Sequence, residues 1–164
     1  MKAFIIAAIT ADGFIGRHST ELADWSSKED KRLFVELTKR AGVMIMGGNT
    51  YRTIGRPLPG RRTIVYSRTP IEHDGVETTQ SPPAQLLRQL EKEGCQEVAI
   101  CGGRSIYDAF LQAGVVNELY LTVEPLLFGT GLTLASDSLS ASLRLLEHRA
   151  LNDNTILLHY EVQP

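Results

Sequence analysis

Apolar residues fall in short runs separated by amphipathic stretches. Phe4 to Ile9 is apolar throughout, which predicts a strand covered on both faces. From Lys28 to Arg40 the pattern changes period. Leu33, Phe34, Leu37 and Ala41 share one face at helical spacing. Val43 to Met46 predicts a strand, with Met44 and Met46 in the core, and Asn49 to Ile54 a short helix or turn. Arg56-Pro57-Leu58-Pro59-Gly60 predicts a loop, because two prolines and a glycine disfavour a regular element. Thr63 to Tyr66 predicts a strand, and Pro82 to Glu93 a helix with proline near its first turn. Val98 to Cys101 predicts a strand, Ser105 to Ala113 a helix, and Leu119 to Val123 a strand. Leu143 to Ala150 and Thr155 to Val162 predict a closing antiparallel pair across Asn152-Asp153-Asn154. Alternating strands and helices point to an α/β fold: a mixed, mostly parallel twisted sheet with helices on both faces and a C-terminal antiparallel hairpin.

The 164 residues fit one domain, residues 1–164, large enough to bury roughly 70% of the unfolded surface. A net charge of −2 argues against a globally basic nucleic-acid binder. No apolar run approaches the roughly 20 residues that span a bilayer. The opening MKAFIIAAIT runs into Asp12 without a small-residue cleavage site, so it predicts a strand rather than a signal peptide. Two cysteines, Cys95 and Cys101, cannot form a disulfide framework or a four-ligand zinc site, and a reduced cytoplasmic protein without a metal is expected. The charge is unevenly spread. Leu37 to Ile71 holds no acid but Lys39, Arg40, Arg52, Arg56, Arg61, Arg62 and Arg68, so +7 there faces −9 elsewhere. A solvated face is the plain reading of such a run. Interleaving with Gly, Pro and aliphatic residues suits a shaped site for an anionic small molecule better than a nucleic-acid stripe.

Two predicted strands end in glycine pairs that lead into helices: Gly47-Gly48 before Asn49-Thr50, and Gly102-Gly103 before Arg104-Ser105. Such turns let backbone approach a ligand closely, and two of them fit a ligand with separate phosphates, although any tight strand-to-helix turn favours glycine. No G-x-G-x-x-G is present. Asp30 lies four residues before Phe34 and seven before Leu37, on or beside the apolar stripe. It serves there either as a first-turn acid complementing the helix dipole or as a desolvated acid with chemistry to do. Ser26 to Glu29 has capping-box spacing, Ser27 to Asp30 a looser version, and Trp25 reads as a hydrophobic staple. His18, His73, His148 and His159 show neither metal spacing nor a nucleophile partner, and no G-x-S-x-G occurs, which disfavours hydrolase and metalloenzyme readings.

The segment Met46-Gly-Gly-Asn-Thr-Tyr-Arg-Thr-Ile-Gly-Arg-Pro-Leu-Pro-Gly-Arg61 closely resembles the signature of dihydrofolate reductases. Ile6-Ala7-Ala8, Asp12-Gly13-Phe14-Ile15-Gly16, the Trp25/Asp30/Phe34 offsets, Gly102-Gly103 with Tyr107, and Tyr120-Leu121-Thr122 follow in the family's order. The resemblance implies NADPH-dependent reduction of dihydrofolate. Asp30 would bind the pterin 2-amino group and N3 and favour protonation at N5, with Thr122 hydrogen-bonded to it. Ile6 and Cys101 would offer carbonyls to the pterin edge, beside Ala7 and Tyr107. Phe34, Ile54 and Leu58 would enclose the benzoyl group, with Arg56 nearby and Arg61 pairing with the glutamate carboxylate. Gly48-Asn49-Thr50 and Gly102-Gly103-Arg104-Ser105-Ile106 would cradle the pyrophosphate. Ser67 and Arg68 would meet the 2′-phosphate, and Ala8, Ile15 and Gly16 the nicotinamide. Asp12 to Gly16 would open a mobile loop. A monomer binding a small-molecule substrate, with no nucleic acid and no membrane, is implied.

The chain also departs from the family pattern. Asp24 replaces the proline before the tryptophan, Ser26-Ser27-Lys28-Glu29 replaces the usual Leu-Pro, and Lys31 stands where an apolar residue is common. Gly48 occupies the place of a basic residue. Ser27 to Phe34 and Glu124 to Gly131 resemble instead the riboflavin-pathway reductase domain, which reduces a ribosylaminopyrimidine phosphate with NADPH, but that domain's Asp-Asp-Pro stretch is missing.

Overall fold

The computed structural model describes residues 1–21 and 23–164. In chain order the elements are β1 (Lys2–Thr10), β2 (Phe14–Gly16), α1 (Lys28–Ala41), β3 (Val43–Gly47), α2 (Gly48–Ile54), β4 (Arg62–Tyr66) and β5 (Val76–Thr79). There follow α3 (Pro83–Lys92), β6 (Glu97–Ile100), α4 (Arg104–Gln112), β7 (Glu118–Glu124), β8 (Leu132–Thr133), β9 (Leu143–Ala150) and β10 (Ile156–Val162). Eight strands form one sheet in the order β5-β4-β3-β6-β1-β7-β10-β9. Pairings from β5 through β7 are parallel, and β10 joins β7 and β9 antiparallel. This is the mixed α/β fold expected from the sequence.

The continuous apolar run in β1 is explained by burial on both faces. Ala3, Ile5 and Ala7 enter one core with Leu86 and Leu90 of α3 and Phe110 of α4. Phe4 and Ile6 enter the opposite core with Leu33 and Leu37 of α1, and Met44 and Met46 join them as predicted. Successive residues of a strand face opposite ways, so one strand feeds two layers only if nearly every residue is apolar.

Three strands were not anticipated. β5 carries one aliphatic residue in four and is half exposed, so its pairing with β4 has no hydrophobic period to announce it. β2 and β8 form a separate pair, with Phe14 opposite Thr133 and Gly16 opposite Leu132. The segment expected to open a mobile loop is thus partly strand. Asp12 ties the same region to residues 128–129, accepting from the N–H groups of Phe128 (3.1 Å) and Gly129 (2.7 Å).

Helix α1 is capped by Ser27, not through the Ser26/Glu29 spacing. The Ser27 hydroxyl oxygen accepts the Asp30 N–H at 3.1 Å. Trp25 sits one residue too early for the staple position. Its ring packs edge-to-face on Phe128, centroids 5.3 Å apart. No helix among the described residues is long and apolar enough to cross a membrane, and they contain no cluster of metal-ligating side chains.

Candidate active site

Parallel strands followed by helices leave a crevice beyond their carboxyl ends. Here β1, β3, β4 and β6 end around one cleft of about 940 Å³. Two turns form its floor. Gly47 N–H donates to the Gly102 carbonyl at 2.7 Å, which ties them together. Both turns are tight around their glycines. A Cβ on Gly47 would stand 3.1 Å from Ile106 Cγ1, and one on Gly102 (φ +107°) would stand 3.0 Å from the Tyr107 hydroxyl.

Most of the sequence-predicted residues line this cleft. Ile6, Ala7 and Ala8 come from β1, and Ile15 and Gly16 from β2. Asp30 and Phe34 come from α1, and Gly48, Asn49, Thr50 and Ile54 from α2. Ser67 and Arg68 follow β4. Cys101, Gly102 and Gly103 follow β6, and Arg104, Ser105, Ile106 and Tyr107 open α4. Four predicted residues are not on its wall. Thr122 is 1% exposed, behind Asp30. Leu58 packs against the apolar cluster that also holds Phe34 and Ile54. Arg56 is exposed on its loop. Arg61 borders a separate shallow groove, donating from Nη1 to Thr38 Oγ1 and from Nε to the Pro59 carbonyl, both at 3.0 Å.

The acid end of the cleft is built on α1. Asp30 is 8% exposed, and burial holds its carboxyl above the usual value of 3.8. The Thr122 and Ser26 hydroxyls and the Lys31 ammonium pull it back down, and the Glu124 carboxylate pushes it further up. The Thr122 hydroxyl acts through space rather than by a well-formed bond, since its oxygen is buried without a hydrogen-bond partner. The Tyr107 hydroxyl donates to the Ile6 carbonyl at 2.9 Å, and burial raises its pKa. Burial also pushes the Cys101 thiol up to about 12, so it stands in the cleft as a neutral, weakly polar wall.

Glu124, at the end of β7, was missed by the sequence reading and is 2% exposed. Its Oε1 accepts both Ser27 N–H (2.9 Å) and Ser27 O–H (2.7 Å), and its Oε2 accepts Thr155 O–H (3.0 Å). With its proton committed to Glu124, the Ser27 oxygen presents a lone pair to Asp30 N–H. The carboxylate thereby sets the first turn that carries the acid. Its partner Ser27 lies 97 residues away in sequence, so no local pattern announces it. Arg52, counted in the acid-free stretch but given no site role, lines the cleft with Arg68 and Arg104. Its four-residue spacing from Gly48 was the available signal.

The arrangement can hold an elongated ligand against a buried acid and a second, anionic ligand over glycine turns flanked by arginines. Comparison with known proteins places the chain in a family. A model of the family described as dihydrofolate reductase matches residues 2–127. The chain is 38% identical over 119 residues to the type 3 dihydrofolate reductase of Salmonella typhimurium, covering 72% of this chain and 68% of the relative. Its fold resembles a solved riboflavin biosynthesis protein of Shewanella sp. PV-4 (TM-score 0.81, 22% identity, 100% of both chains). It also resembles a dihydrofolate reductase from Enterococcus faecalis complexed with NADP(H) (TM-score 0.77, 20% identity, 99% of this chain and 97% of that one). With the family model matched over most of its length, the chain belongs to the dihydrofolate reductase family of oxidoreductases.

Proposed function

We propose that this protein reduces 7,8-dihydrofolate to 5,6,7,8-tetrahydrofolate with NADPH as hydride donor. The observation that carries the reading is one buried acid, Asp30, in the wall of a cleft that is also lined by Arg52, Arg68 and Arg104. The residues present fit a dinucleotide. The glycine turns keep open a floor that a side chain at Gly47 or Gly102 would crowd, and the arginines offer charge to phosphates. Gly48 to Thr50 and Gly102 to Ile106 would hold the pyrophosphate, Ser67 and Arg68 the 2′-phosphate, and Ala8, Ile15 and Gly16 the nicotinamide. When bound, NADPH supplies the hydride.

The protein supplies position and a proton route. Asp30 binds the pterin 2-amino group and N3 and favours protonation at N5; its raised pKa increases the fraction protonated near neutral pH. Thr122, behind it, restrains that rise. Tyr107, pinned to Ile6, and the neutral Cys101 close the pterin site.

Substrate shape favours this reading over the ribosylaminopyrimidine reductase suggested by residues 26–34 and 124–131. Asp30 and Thr38, which holds Arg61, are eight residues apart on α1, about 12 Å of helix. Phe34, Ile54 and Leu58 pack on the apolar cluster that holds Leu33 and Leu37 of the same helix stretch. A benzoyl ring suits that stretch and a glutamate carboxylate suits Arg61, whereas a ribose chain would find no hydrogen-bond partners among those three side chains. Purified protein should oxidise NADPH when dihydrofolate is added, and Asp30→Asn should lower turnover at neutral pH by about a hundredfold or more with NADPH binding nearly intact. Turnover of the pyrimidine substrate but not dihydrofolate would select the other reductase. Unchanged turnover in Asp30→Asn would remove the role given to that residue.

A further inference from the structure

Gly48 leaves a gap that another residue fills. It opens α2 at the carboxyl end of β3, where the family resemblance expects a basic side chain. A Cβ built on Gly48 would stand 3.4 Å from Arg52 Nη1, 3.8 Å from Arg52 Nη2 and 3.7 Å from the Tyr66 carbonyl. The Arg52 guanidinium therefore lies in the space a side chain at 48 would take, one helical turn later in sequence. It is not simply splayed into solvent. Nη2 donates to Asn49 Oδ1, which fixes the head group over the turn. Tyr66 is followed directly by Ser67 and Arg68, and all of these line the cleft.

Charge narrows the function of this head group. No carboxylate among the described residues lies within salt-bridge distance of Arg52 or Arg68. By contrast Arg62, five residues into the same acid-poor region from Pro57, is clamped by Glu77 and Glu93. Two guanidiniums without acidic partners suit a phosphate monoester, which carries up to two negative charges where each phosphate of a dinucleotide's pyrophosphate carries one. The forked guanidinium also matches adjacent phosphate oxygens.

Building on the NADPH reading above, we propose that Arg52 is the residue through which this chain selects a 2′-phosphorylated dinucleotide, replacing in space the side chain that Gly48 lacks. Arg68 contributes from the β4 side, and Arg52 closes the phosphate from the α2 side. Asn49 is the positioning residue that keeps the fork aimed at the cleft.

Dissociation constants for NADPH and NADH, measured by fluorescence titration without substrate, test this independently of turnover. Wild-type protein should bind NADPH more tightly. Arg52→Gln should weaken NADPH about tenfold or more and change NADH less than twofold, collapsing the preference. Arg52→Lys should retain part of it, because charge remains and the fork is lost. Adding Gly48→Arg to Arg52→Gln should restore NADPH binding, because the two positions share one space. A preference unchanged in Arg52→Gln would overturn the assignment to Arg52 while leaving the NADPH reading standing. Equal binding of NADPH and NADH by wild type would overturn both. Loss of both dinucleotides together in Arg52→Gln, with the double variant failing to recover, would make Arg52 a structural residue and refute the proposal.

Discussion

Removing the Glu124 carboxylate tests whether a buried acid off the cleft wall governs the helix that carries Asp30. Glu124→Ala deprives three donors of their acceptor: Ser27 N–H at 2.9 Å, Ser27 O–H at 2.7 Å and Thr155 O–H at 3.0 Å. Thr155 and Glu124 are 3% and 2% exposed, so water cannot freely replace the lost partner. Hydrogen bonds to a charged group contribute about 1.5–3 kcal/mol each, but three on one carboxylate are not additive, and deleting it also relieves its own desolvation. The expected cost is about 3–5 kcal/mol, which for a chain of this length lowers Tm by roughly 10 °C. Glu124→Gln keeps the shape and an amide oxygen for Ser27, and its NH2 can donate to Thr155. It should cost about 1 kcal/mol. That variant isolates the electrostatic effect. The Glu124 charge helps raise the Asp30 pKa, alongside burial, with Lys31, Thr122 and Ser26 opposing it and the neutral Tyr107 and Cys101 adding no charge. In Glu124→Gln the alkaline fall-off of the hydride step should therefore move to lower pH. Denaturant unfolding and single-turnover rates across pH measure the two effects. A Glu124→Ala cost below about 1 kcal/mol would refute the network's structural role. An unmoved pH profile in a well-folded Glu124→Gln would refute the coupling to Asp30.

Asp30→Asn should stabilise the protein at neutral pH even as activity falls. The folded pKa lies above the usual 3.8, so the stability linked to the protonated acid is full below that value and lost as pH rises through the raised one. The variant's Tm advantage should accordingly vanish in acid and grow toward neutrality; a pH-independent difference would count against a buried ionised carboxylate. Arg61→Leu should raise KM for dihydrofolate with little change in NADPH binding, read from steady-state kinetics and titration. Gly131→Ala drives a Cβ into the Gly16 carbonyl oxygen at a φ of +150°, a backbone contact that cannot give way locally. It should separate β2 from β8 at a cost of about 2 kcal/mol or more and weaken NADPH binding through Ile15 and Gly16.

What the sequence disclosed followed from how each contact is encoded. Central strands such as β1 and β3 are covered on both faces, so their burial is written as uninterrupted apolar runs. Edge strand β5 is held mainly by backbone bonds to β4, and β8 is two residues long; neither has enough positions to show a period. Asp30 was legible because its neighbours at i+4 and i+7 on one helix fixed the face it occupies. Glu124 was not, because its meaning depends on β7 and β10 bringing it to Ser27 and Thr155. The glycine turns could be recognised as ligand-facing. That Arg52 fills the space over Gly48 required the path of the side chain.

The acid-free stretch from Leu37 to Ile71 shows the same distinction in electrostatic terms. Read as a block, its seven cations suggest one anion-binding surface. In three dimensions they divide by partner. Arg40 pairs with Glu97 at 2.7 Å, and Arg62 bridges Glu77 and Glu93 at 2.9 and 2.8 Å, joining β4 to β5 and to the end of α3. Those two neutralise acids from later in the chain at the amino ends of β6 and β4, away from the carboxyl ends that border the cleft, and such exposed pairs contribute about 0–1 kcal/mol each. Arg61 spends its donors on Thr38 and Pro59, which orients it along α1 without cancelling its charge. Only Arg52 and Arg68 reach the cleft wall without an acid beside them. Positive charge is therefore concentrated by pairing elsewhere, not by the composition of the segment, and the cations left unpaired at the cleft are the ones available to discriminate between ligands.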